Sequence, residues 1–94
     1  MALYMITYDI RTRPGHDYQP LYDQLNSWGA AHLQNSIWLA SLNGKAGVVR
    51  DALRNHMHAD DTFCVLQIFP NSDWATWNAR ITGTDWLKAQ ANQQ

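Results

Sequence analysis

Near the start of the chain, YMITYDI sets an aspartate, Asp9, at the end of a run that otherwise reads as a strand. A carboxylate there is costly unless it is exposed, paired or bound to a cation. Residue type alone allows two roles: a cap on the Arg11–Gly15 turn, or an oxygen ligand for a hard metal ion. Arg11 and Arg13 follow at once, separated by Thr12. Guanidinium forks suit phosphate oxygens, although a solvated loop explains the two arginines equally well. The run HMHADD holds His56, His58, Asp60 and Asp61. Histidines two apart project in different directions on a helix, where a metal box wants i and i+4. That run therefore reads as a helix end followed by a turn. Arg50 and Arg54, four apart, read as a solvated helix face. Cys64, placed mid-strand, reads as a core thiol.

The totals narrow the classes. The chain has 94 residues, 46% apolar and 16% charged, a composition for one folded domain rather than a disordered tract. All 8 acidic residues are aspartates, and the net charge of −1 argues against a strong non-specific nucleic-acid binder. Five tryptophans could stack on bases, but such platforms need a basic groove that 7 Lys and Arg hardly supply. They read instead as core and cover. A single cysteine excludes an intramolecular disulfide and fits a reducing cytoplasm. No stretch approaches the roughly 20 apolar residues of a membrane helix, and no basic-then-apolar leader is seen. The expectation is a cytoplasmic protein with no membrane association.

The elements that must hold these residues follow from periodicity. Ala2–Ile10 is a strand apolar on both parities, hence buried on both faces. Arg11–His16, with Pro14 and Gly15, is a loop. Asp17 is the expected N-cap of a helix carrying Tyr18, Leu21, Tyr22, Leu25 and Trp28, which Gly29 ends. Asn35-Ser36 is either a tight turn between strands Ala31–Gln34 and Ile37–Leu42 or a bulge within one strand. Val48, Val49, Ala52, Leu53 and Met57 predict a second helix over Lys45–Met57. Thr62–Phe69 is a last strand, stopped by Pro70. This order predicts a ferredoxin-like βαββαβ sandwich, α+β, with an antiparallel sheet and helices on one face. The other face, apolar in the first and last strands, is expected to meet a second copy of the chain. A single domain over 1–94 is expected, its core over about 2–69. Residues 70–94 form an aromatic extension that folds back or crosses to the partner.

The runs YMITYDI, WGA and LQNSIW, in that order, resemble the CRISPR-associated protein 2 family and the related virulence-associated protein D ribonuclease toxins. The shared features are Tyr8-Asp9, Gly29-Ala30, and Gln34, Ser36 and Trp38. The resemblance implies a homodimeric, metal-dependent endonuclease cutting RNA or DNA, and of the two RNA is the expected substrate. Asp9 would be the catalytic metal ligand, sharing one Mg2+ or Mn2+ per dimer with its symmetry mate. Ser36 would be a nearby catalytic polar group, and Arg11 and Arg13 would contact the nucleic acid. An antitoxin or an integrase would be the protein partner in those families' settings. The loop RTRPGHDYQP departs from the more basic loop of the CRISPR family, and the tryptophan-rich C-terminal third departs as well. The rival is a non-catalytic dimeric scaffold or protein-binding module on the same fold; a small-ligand sensor is a third.

Overall fold

The computed structural model describes residues 1–10 and 15–91. Four strands, β1 (Ala2–Asp9), β2 (Ala31–Gln34), β3 (Ile37–Leu42) and β4 (Thr62–Ile68), form one sheet. Its order is β2-β3-β1-β4, with every neighbouring pair antiparallel. Three helices accompany it: α1 (Gln19–Ser27), α2 (Ala46–Arg54) and α3 (Ile81–Gln90). The result is a small α+β domain, compatible with the ferredoxin-like arrangement.

Alternation along β1 sets the two faces. Tyr4, Ile6 and Tyr8 point to one side and are buried, Ile6 completely. They pack with Trp38 and Ala40 of β3 against Leu21 and Leu25 of α1 and Val49 and Leu53 of α2. The spacing of those helix residues, three to four apart, lays one apolar stripe on the sheet. The N-cap of α1 is Tyr18, not the expected Asp17; Asp17, one residue earlier, accepts the Gln19 N–H at 2.9 Å. Gly29, at φ +72°, lets the Ala30 N–H return to the Leu25 carbonyl at 3.0 Å and close α1. The second helix is shorter than its periodicity suggests, ending at Arg54.

Of the two readings of Asn35-Ser36, the turn between strands holds; the bulge of this hairpin lies earlier, within β2. The pair turns β2 into β3, and the register of β2 shifts between His32 and Gln34, a bulge.

The opposite face corrects the expectation that helices lie on one side only. The tail folds back on its own chain, and α3 packs over β2 and β3. Leu33, Leu39, Leu87 and Ala91 form a second core, joined by Met5, Ile37, Ile68, Trp74, Ala79 and Trp86. Gly83, Leu87 and Ala91, four apart, provide a narrow stripe of small and apolar residues that lies close to the strands. The Arg80 N–H bonds the Leu33 carbonyl at 2.9 Å, which occupies a backbone group on the β2 edge. Among the described residues no helix is long and apolar enough to cross a membrane.

Candidate functional site

One end of the sheet gathers most of the residues singled out above. Asp9 is the last residue of β1, opposite Thr62 in register, and its side chain is exposed. Its exposure follows from parity: Asp9 shares the face of Leu3, Met5 and Thr7, whereas Tyr8 turns into the helix-covered core. The second core reaches Met5, and Thr7, next on that face, is half-buried. Thr7, Tyr8 and Asp9 with Thr62, Phe63 and Cys64 line an open depression of about 240 Å3.

Ser36 is brought to the same end. Its carbonyl accepts the Tyr8 N–H at 3.1 Å, which fixes the β2–β3 turn one residue from Asp9. Tyr8 reinforces that anchor with its side chain. The Trp38 indole N–H donates to the Tyr8 hydroxyl at 3.1 Å, and the hydroxyl donates to the Asn35 carbonyl at 3.1 Å. Burial pushes the Tyr8 hydroxyl above the ordinary tyrosine range; the Trp38 donor opposes that rise and the neighbouring Tyr22 adds to it. Arg11 and Arg13 lie outside the described residues.

Cys64 corrects its expected place in a core. It is exposed, because β4 is an edge strand and its residues 62, 64 and 66 face the part of the sheet beyond α3. Arg50 behaves as read, paired on the surface with Asp51 at 3.0 Å.

Two features were not legible in the sequence. Arg80, arriving from the tail, donates from Nη2 to the Asn35 Oδ1 at 3.0 Å and sets a cation beside the Ser36 turn. No local signal marks it, since its position depends on the path of residues 70–80. The second is a junction between the loop before α1 and the HMHADD turn. The Asp61 Oδ2 accepts the Tyr18 hydroxyl at 2.6 Å and the His58 amide at 2.9 Å. The His16 ring lies 4.4 Å from the Tyr18 ring and 5.7 Å from that of His58, between centroids. Asp61 directly precedes Thr62, the residue paired with Asp9, so this junction adjoins the same end of the sheet.

Among the described residues no group of three or more His, Cys, Asp or Glu is placed to hold a metal ion. A single protomer offers Asp9 as one exposed carboxylate, enough for a hard cation only when other ligands join it. No family model matches the chain, and no solved structure matches it.

Proposed function

We propose that the protein is a homodimeric ferredoxin-like, metal-dependent endonuclease that acts on RNA in preference to DNA. The observation that carries this reading is Asp9. It is an exposed carboxylate at the end of a central strand whose Tyr4, Ile6 and Tyr8 are buried; it lines a depression between β1 and β4, and the amide of the preceding Tyr8 holds the Ser36 carbonyl. In a twofold dimer two such carboxylates share one Mg2+ or Mn2+, which would keep most of its waters. A cation held there polarises a phosphodiester and acidifies an attacking water. Asp9 holds the ion, Ser36 offers a hydroxyl to the substrate, and Arg11 and Arg13 contact phosphate. The face that meets the second copy would be the one carrying Thr7, Cys64 and Leu66. Leu66 is 50% exposed there, an apolar side chain on a free sheet edge.

One observation favours the scaffold as a second reading. Phe69, Trp77 and Ile81 are also exposed, Trp77 to 87%, and a protein partner would cover such residues. The two readings separate in one experiment. Single-stranded RNA and DNA are incubated with the protein and Mg2+ or Mn2+, beside Asp9→Asn, while sedimentation reports the mass. A dimer that cuts RNA by hydrolysis only with the cation, and loses this in Asp9→Asn, supports the enzyme. A dimer without metal-dependent cutting leaves the scaffold. A monomer removes the shared cation site.

A further inference from the structure

We propose that His16 and His58 form a second site, a general base beside an N–H hydrogen-bond donor, that cleaves RNA through the substrate's own 2′-hydroxyl and needs no cation. The two residues come from separate segments, the loop before α1 and the turn after α2. Their rings meet edge to face, 5.7 Å between centroids at 82°, and both are half-buried.

Each ring has one nitrogen assigned by its backbone partner. The His16 Nε2 lies 3.4 Å from the His56 carbonyl. A carbonyl only accepts, so in the neutral ring Nε2 carries the proton and Nδ1 keeps its lone pair. His58 is the reverse. Asp60 faces its Nδ1 with both the amide, at 3.1 Å, and a carboxylate oxygen, at 3.8 Å; in the neutral ring the amide donates to Nδ1 and the proton sits on Nε2. One ring offers a base and its neighbour an N–H donor. Asp61 holds them in register by binding both the Tyr18 hydroxyl, beside His16, and the His58 amide.

The chemistry of this cluster selects the substrate. Tyr18 is buried and its hydroxyl is held by Asp61, so the phenol is not presented to a substrate. A base and a donor without a nucleophile suit a substrate that carries its own beside the electrophile. A ribose 2′-hydroxyl next to a phosphodiester is that arrangement, and DNA lacks it. As the 2′-oxygen attacks phosphorus, His16 Nδ1 takes its proton, and His58 Nε2–H donates to a non-bridging oxygen. The bond from phosphorus to the 5′-oxygen breaks. Water protonates the departing oxygen, and the resulting hydroxide recovers the proton from His16. The products are a 2′,3′-cyclic phosphate and a 5′-hydroxyl.

The site stands independently of Asp9, and the test separates the two. A labelled single-stranded RNA and its all-2′-deoxy counterpart are incubated with the full chain in EDTA, and the ends are read by mass spectrometry. Cutting of the RNA alone, with a 2′,3′-cyclic phosphate end, is expected. His16→Gln keeps a donor for the His56 carbonyl but has no base, and should lower the rate about 10²–10⁴-fold with circular dichroism unchanged. His58→Ala should lower it about 10²-fold. The proposal is overturned if the wild type leaves RNA intact in EDTA, if the deoxy strand is cut, or if His16→Gln cuts like wild type. Cyclic-phosphate ends in EDTA without metal-dependent hydrolysis would remove only the Asp9 reading, and the converse would remove only this one.

Discussion

Gly83 of α3 lies so close to Leu33 of β2 that a β-carbon added to it would stand 2.5 Å from the Leu33 Cα and 2.8 Å from the His32 carbonyl oxygen. Both atoms belong to the backbone of the strand and cannot rotate aside. The tail of the chain is docked through this contact, and with it Arg80 and the cover over Met5 and Leu39.

Gly83→Ala is therefore expected to destabilise the fold. Alanine is the better helix former by about 1 kcal/mol. Overpacking against a strand costs about 1–3 kcal/mol and here outweighs that gain. Gly47 in α2 provides the opposite case, since a β-carbon there meets nothing closer than an Arg50 guanidinium nitrogen at 3.8 Å. Gly47→Ala should stabilise by about 0.5 kcal/mol. Urea denaturation of the two variants checks both signs; a stabilised Gly83→Ala would mean that α3 is not seated on β2.

The same contact explains what the sequence concealed. The first 69 residues announce themselves because the strand runs Ala2–Ile10 and Thr62–Phe69 are apolar on nearly both parities, and because Leu21, Leu25, Val49 and Leu53 recur at helical spacing over a single face. The stripe of α3 has only Leu87 as a large apolar residue, with Gly83 and Ala91 beside it, so its periodicity is faint. Its docking depends on small size at one position rather than on apolar pattern. Asp9 was legible because a carboxylate ends an apolar run. The His16–His58 junction was not, because it joins residues 42 positions apart, and only the closing of β1 onto β4 brings them together. Cys64 was misplaced for a related reason: alternation says which residues share a face, but not how far a later helix will cover it.

Asp61 should be worth more to stability than an exposed acid. Tyr18 is buried, and its hydroxyl gives the Asp61 carboxylate a 2.6 Å bond while the His58 amide gives it a second. Hydrogen bonds to a charged acceptor contribute about 1.5–3 kcal/mol each. Asp61→Ala is expected to cost about 2–3 kcal/mol, Tyr18→Phe about 1–2 kcal/mol, and the double variant clearly less than the sum. A double-mutant cycle from urea melts measures the coupling. Additive losses would show that the two residues do not act as a pair.

The last expectation concerns Tyr8 and alkali. Its hydroxyl accepts from Trp38 and donates to Asn35, so Tyr8→Phe leaves the indole N–H and the carbonyl without that partner. At neutral pH the loss should be about 1–3 kcal/mol. Burial raises the Tyr8 hydroxyl above its ordinary value of 10.0. The folded state therefore favours the neutral phenol. That preference is fully present below the unfolded value and is lost as pH rises through the higher folded one. The stability gap between wild type and Tyr8→Phe should thus be constant from neutral pH to about pH 9 and shrink in stronger alkali. Urea melts of both proteins along that range give the gap directly. A gap that widened with pH would mean that the ionised phenolate is the better-held form, and that the Trp38 donor outweighs burial at this end of the sheet.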